Sequence, residues 1–237
     1  MALYHKVKRE LIADIQSGKF LLDKPLPNES DLAARFGISI GTLRRAVDEL
    51  VSEHVLLRQQ GRGTFVGQLD QERFMYQFFK IESEDGIREF PHSELIDFDT
   101  ARSNSEESAS LGLRGNPKVF RIKNLLLLQG KPVVFDRITL SCALFPSLNQ
   151  EQFVQRSGTI YDLFQREFGV TVVGADERTR AILADEEAAS VLQIPIGSPV
   201  LRVTRIARTF NQQPAELRIS IINSQAHELV SNTNPKS

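Results

Sequence analysis

Apolar and polar positions between Leu26 and Val66 follow two helical periods and then a β-like one. Leu32, Ala33 and Phe36 share one face of a short helix. Asn28 is its N-cap, and Asp31 stands three places on, close to capping-box spacing. Gly37 ends the helix by supplying a left-handed residue. Ile38 returns to the core, and Ser39 caps a second helix whose apolar positions are Leu43, Ala46, Val47 and Leu50. Val55–Arg58 and Thr64–Val66 are β-prone runs on either side of Gln59-Gln60-Gly61-Arg62-Gly63, which predicts a hairpin. Two helices, a turn and a hairpin in that order predict a winged helix-turn-helix. The first turns of the second helix carry Ser39, Ile40, Gly41, Thr42, Arg44 and Arg45, mostly small, polar or cationic groups suited to phosphates and base edges. At the hairpin tip, Gln60, Gly61, Arg62 and Gly63 put a cation between residues too small to block a minor groove.

A second pattern repeats in the C-terminal half. Glu106–Leu111 and Glu186–Leu192 read as short helices with acidic starts. Gly115-Asn116-Pro117 and Gly197-Ser198-Pro199 follow as turns, then the runs Val119–Leu128 and Val200–Phe210 as strands. Hairpin turns come at Gln129–Pro132 and Asn211–Pro214, and Val133–Leu140 and Ala215–Ile222 close the units. Pro117 to Pro132 and Pro199 to Pro214 are both fifteen residues apart. A duplicated helix–strand–strand unit predicts an α+β domain on one antiparallel sheet, with a crevice between its halves. Between the units, Ser157-Gly158-Thr159 opens a helix at Leu163–Phe168. Its backbone N–H groups suit a polar ligand, while Ser157 equally suits a plain helix cap.

The expected layout is a winged helix-turn-helix over 1–67, a polar linker over 68–77, a sensing and dimerisation domain over 78–230, and a disordered tail over 231–237. The chain is expected to re-enter regular structure near Phe78-Phe79. A net charge of −1 would by itself argue against a nucleic-acid partner. Residues 1–66 hold ten basic residues against eight acidic ones, so positive charge has to be concentrated on one face. Cys142 is the one cysteine, which excludes an internal disulfide and fits a reducing compartment; its apolar neighbours suit a core position. His5, His54, His92 and His227 have no metal-ligand spacing, and His54 is expected at the surface. No nucleotide-binding loop or nucleophile elbow is present, so no cofactor and no metal is expected. No apolar run reaches membrane length and no signal peptide opens the chain, which predicts a soluble cytoplasmic protein.

Tyr4 to Val66 resembles the DNA-binding domain of the GntR family of bacterial regulators. The matching residues are Ser17-Gly18, Leu26-Pro27-x-Glu29, Leu32-Ala33, Phe36-Gly37-Ile38-Ser39, Thr42-Leu43-Arg44, Ala46, Leu50 and Gly61-x-Gly63-Thr64-Phe65-Val66. The chain after Met75 resembles the effector-sensing (UTRA) domain of the HutC branch, whose fold is chorismate lyase-like. Two positions depart from the family pattern: Ser30 and Ile40 stand where arginine is usual. Arginine there reaches guanine, whereas isoleucine suits a thymine methyl, so the family's usual operator does not carry over. Some relatives grip a phosphosugar with two arginines on the strand before the first hairpin; the equivalent positions here are Asn124 and Leu126. The resemblance implies a pocket at Asn124, Asp136, Thr159, Tyr161 and Glu216, which argues against a phosphate ester. A hydroxyl, amine or imidazole ligand fits, or a carboxylate met by Arg121, Arg137 or Arg218. Asp136 alternatively forms a surface pair with Arg137.

The expectation is a non-enzymatic regulator, in the sense of a repressor, that binds a palindromic duplex as a homodimer and responds to a small metabolite. Two rivals remain open from sequence: a lyase-like enzyme tethered to DNA, and a non-specific DNA-binding protein.

Overall fold

In a computed structural model, the structure describes residues 3–20, 24–52, 55–67, 78–209 and 212–231. The linker assigned to 68–77, His54, Phe210-Asn211 and tail residues 232–237 lie outside the described residues.

The N-terminal module contains α1 (Leu3–Gln16), α2 (Glu29–Phe36), α3 (Ile40–Ser52), β1 (Leu56–Gln59) and β2 (Gly63–Val66). The capping expectations hold. Asn28 Oδ1 accepts from the Asp31 N–H at 2.8 Å, Gly37 is left-handed at φ 63°, and Ser39 Oγ accepts from the Thr42 N–H at 3.2 Å. Leu32, Leu43, Ala46, Val47 and Leu50 meet Val7, Leu11 and Ile15 of α1 in one core. β1 and β2 pair from Leu56↔Val66 to Gln59↔Gly63. The wing is tied back to the segment before α2: Leu26 N–H donates to Thr64 O at 2.7 Å, and Pro25 bridges to Phe65. Gly63 is needed there. Its φ is 116°, and a Cβ would lie 3.1 Å from Pro25 Cβ.

The C-terminal part runs β3 (Ile81–Ser83), β4 (His92–Arg102), α4 (Ser105–Leu111), β5 (Lys118–Leu128), β6 (Lys131–Ser141), α5 (Gln150–Gln155), α6 (Ile160–Phe168), β7 (Val172–Leu183), α7 (Glu186–Leu192), β8 (Pro199–Thr209), β9 (Pro214–Ile222) and β10 (His227–Leu229). Six strands make one antiparallel sheet in the order β4-β5-β6-β9-β8-β7. The duplicated units are therefore related about the β6–β9 pair. Each unit is larger than its sequence pattern suggests, because β4 and β7 precede the helices and form the sheet edges. α4 packs over β9 and α7 over β6, so each helix crosses onto the other half.

Alternation divides the sheet into two faces. Val134, Ile138 and Leu140 of β6 face α5 and α6, with Phe153, Tyr161 and Phe164. Phe135 faces α7, with Ala188, Ala189 and Leu192. Phe78 and Phe79 are buried in the first of these cores but precede regular structure, and the first strand starts at Ile81. The helix expected at Leu163–Phe168 begins at Ile160 instead. Thr159, and not Ser157, is its cap, with Oγ1 accepting from the Asp162 N–H at 3.0 Å. Near the other end of α6, Gln165 Nε2 donates to Gly67 O at 3.1 Å, and Val173 packs against the N-terminal core.

Glu107 closes the capping box of α4 with Asn104 and also meets Arg121 at 2.8 Å. The Arg121 hydrogen bond, helped by the Asn104 backbone N–H, holds the Glu107 carboxyl below the usual range against the opposing effect of burial. A depressed carboxyl contributes stability above its unfolded pKa and loses it as pH falls through the folded one. Glu107→Gln is therefore expected to lower the melting temperature at neutral pH and to flatten its decline on acidification; thermal unfolding across pH 3–7 reads both.

Candidate DNA-reading surface and effector cleft

The expected DNA-contacting residues fall on two exposed features of the N-terminal module. Ser39, Ile40, Gly41, Arg44 and Arg45 are exposed around the start of α3, with Thr42 half-buried among them. Gln60, Gly61, Arg62 and Gly63 are exposed at the turn between β1 and β2, closed by Arg62 N–H to Gln59 O at 3.0 Å. Ile40 is 41% exposed, an apolar side chain presented to solvent near the start of α3. Ser30 is exposed on α2.

The cations here are held in place. Arg44 Nε meets Glu29 Oε2 at 2.6 Å, and that hydrogen bond raises the guanidinium pKa. Arg58 bridges Asp48 at 2.7 Å and Glu29 at 3.7 Å. Arg45 lies over the Tyr4 ring at 4.1 Å and Arg62 over Phe65 at 5.9 Å. Glu29 thus orients two arginines.

The C-terminal sheet bears an open cleft of about 410 Å³ between Phe90–Ser93, the α5–α6 connection and strands β5 and β6. Its polar lining includes Ser93, Asn124, Arg156, Thr159 and Arg218. Asn124 Oδ1 accepts from Ser93 Oγ at 2.9 Å, and Arg156 Nη2 donates to the same hydroxyl at 2.8 Å. Arg156 Nη1 donates to Phe153 O, and the guanidinium sits 4.5 Å from the Phe153 ring centroid. Its Nε is buried with no hydrogen-bond partner among the described residues. Burial first, and the charge of Arg218 second, push the Arg156 pKa down to about 10.

Behind the cleft lies a buried ionic network. Arg218 Nη1 meets Asp136 Oδ2 at 3.0 Å, while its Nε and Nη2 hold the two Glu216 oxygens, each at 2.9 Å. The Tyr161 hydroxyl donates to Glu216 Oε1 at 3.0 Å, and burial drives its pKa upward. Ser220 Oγ donates to Asp136 Oδ1. Beside it a small cavity of about 30 Å³ is lined by Asp136, Arg205 and Glu177, with Arg205 and Glu177 paired at 2.7 Å.

The five expected pocket residues thus separate. Asn124 and Thr159 line the cleft, and Thr159 also caps α6. Asp136 lines the smaller cavity, while Tyr161 and Glu216 line neither and instead hold Arg218. The alternative Asp136–Arg137 surface pair is not formed. Consecutive strand residues face opposite ways, and Arg137 pairs with Asp185 and Glu187 on the α7 side. Arg121 is likewise on that face, with Glu107. Of the three cations weighed from sequence, only Arg218 reaches the cleft, and it is already engaged by two carboxylates. Arg156 was missed, since it follows a short helix in a polar stretch and no local pattern marks it.

Among the described residues, no group of three or more His, Cys, Asp or Glu side chains is placed to hold a metal ion. No helix there is long and apolar enough to cross a membrane. Residues 3–66 match the family described as bacterial regulatory proteins, gntR family, and residues 88–228 match the UTRA domain. The chain belongs to the GntR family, in its UTRA-containing HutC-type branch. It is 30% identical to the HTH-type transcriptional repressor NagR of Bacillus subtilis, over 86% of this chain and 83% of that one. It is 29% identical to the histidine utilization repressor of Pseudomonas putida, over 96% and 90% respectively. Among solved structures, a GntR-family ligand-binding domain from Bordetella bronchiseptica superposes with a TM-score of 0.63 at 29% identity, over 67% of this chain and 99% of that one. PhnF from Mycobacterium smegmatis shares the fold with a TM-score of 0.57 at 18% identity, over 97% and 100%. This GntR protein is a metabolite-responsive, DNA-binding transcriptional regulator.

Proposed function

We propose that the protein is a cytoplasmic repressor that binds a palindromic operator as a homodimer and releases it when a small metabolite occupies the α5–α6 cleft. In this reading residues 1–67 read DNA and residues 78–230 sense and dimerise. Ser39–Thr42, Arg44 and Arg45 enter the major groove, and Gln60–Gly63 the minor groove. Two copies are required because one short helix reads too few base pairs to be specific alone.

The observation that carries the switch is helix α6. Thr159 and Ile160 at its start line the cleft, and Gln165 near its end holds Gly67 O at the foot of the wing. A ligand that shifts α6 alters the support of the DNA-reading module. Release follows if the ligand binds the off-DNA arrangement more tightly. A doubly charged phosphate ester is disfavoured, because Asn124 and Leu126 supply no cation, Arg218 is matched by Asp136 and Glu216, and Arg156 offers one positive charge. We read the site as a binding switch and not a catalyst: the buried carboxylates behind the cleft, Asp136 and Glu216, are tied to Arg218.

Footprinting of the full chain on the DNA flanking its own gene tests this reading. Two protected half-sites about one helical turn apart, occupied by two chains and cleared by a small metabolite, are expected. A single half-site bound by one chain would contradict it.

A further inference from the structure

We propose that the cleft takes a small molecule bearing a single carboxylate, and that Arg156 is the residue that receives it. The inference rests on reading this cleft as the effector site, and adds the charge and the contact residue. Arg156 lines the cleft, and its two terminal nitrogens donate to neutral acceptors, Phe153 O and Ser93 Oγ, while its buried Nε has no hydrogen-bond partner among the described residues. A guanidinium held by neutral acceptors keeps its charge uncompensated, and a carboxylate in the cleft meets that charge with a charge-assisted hydrogen bond at the terminal nitrogens.

Charge balance sets the ligand's valence. The Lys, Arg, Asp and Glu side chains lining the cleft and the small cavity, with Glu216 behind them, are Arg156, Arg205, Arg218 and Lys80 against Asp136, Glu177 and Glu216. Arg218 is matched by Asp136 and Glu216, and Arg205 and Lys80 share Glu177. One positive charge is left over, and Arg156 is the cation with no ion-pair partner among the described residues. A monoanion neutralises it, whereas a dianion would bring a second charge with no free cation to meet it. The remaining lining is Leu126, Ile138 and Phe153, with Asn124 and Thr159 as hydrogen-bonding groups. The ligand therefore has an apolar body with one or two polar substituents.

Calorimetry on the full chain tests this with acetate, butyrate, benzoate and 4-hydroxybenzoate, each beside its neutral amide, and with phenyl phosphate. At least one carboxylate is expected to bind once per chain, at least tenfold tighter than its amide and no weaker than phenyl phosphate. Arg156→Met is expected to abolish that preference, and Arg156→Lys to retain part of it, while both variants keep cooperative unfolding and duplex binding. Amides that bind as well as acids, phenyl phosphate that binds best, undiminished carboxylate binding by Arg156→Met, or no binding by any carboxylate would each overturn the proposal. Operator release separates it from the effector reading. Carboxylates that bind through Arg156 without releasing DNA refute the switch alone. Release by a neutral metabolite in Arg156→Met refutes the carboxylate assignment alone.

Discussion

Arg218→Met is expected to destabilise the C-terminal domain by about 3–5 kcal/mol, the usual cost of removing one partner from a buried ionic pair. Asp136 is 1% exposed and Glu216 is 0% exposed, and both rely on the same guanidinium. Methionine fills much of the arginine's volume, so the loss reflects stranded charge more than a cavity. Ser220 and Tyr161 each leave one hydrogen bond to the stranded carboxylates, which softens the penalty without cancelling it. Adding Asp136→Asn and Glu216→Gln to Arg218→Met is expected to recover a substantial part of the loss. Urea unfolding of the three proteins distinguishes this from a packing defect. A loss below about 1 kcal/mol for the single variant would mean that the network is solvated in solution and does not organise the cleft.

Arg44→Ala is expected to cost about 1–3 kcal/mol of operator affinity per half-site, hence about 2–6 kcal/mol for a dimer. Arg44 lies exposed on α3 and, among the described residues, pairs with Glu29, so fold stability should change by less than about 1 kcal/mol. The salt dependence of binding identifies the contact. A base contact leaves the slope almost unchanged, while a phosphate contact lowers it by about one per half-site. Equal loss on all duplexes with a reduced slope would move specificity from Arg44 to Ile40 and Thr42.

The N-terminal module was legible because its boundaries depend on local chemistry. Asn28, Gly37 and Ser39 impose capped or left-handed conformations wherever their helices are placed, and the structure shows each in that role. The Gly-x-Pro turns likewise marked the starts of β5 and β8, and Gln129–Pro132 the turn between β5 and β6. β4 and β7 were not recognised because they are edge strands: none of the β4 residues and only Val172 of β7 is buried, so neither shows an alternating apolar pattern. The start of α6 was misplaced because Ser157 and Thr159 are both capable caps, and tertiary packing selects the second.

Site chemistry was less visible because it depends on non-local register. Asp136 meets Arg218 and Ser220 only because β6 and β9 pair with Asp136↔Ser220 and Ile138↔Arg218 opposite one another. Strand alternation alone separates Asp136 from Arg137, because consecutive strand residues face opposite sides of the sheet. Arg156 offered no comparable cue, since its distinction is a missing partner, and only a folded chain shows which partners are missing.

Selection of bound duplexes from a random pool by the full chain, repeated at rising salt, tests the central claim most directly. A single palindrome that persists as salt rises is predicted, with a thymine rather than a guanine at the position facing Ile40. Recovery of no motif, with all binding lost steeply as salt increases, would contradict a sequence-reading dimer and leave only non-specific attraction to the phosphate backbone.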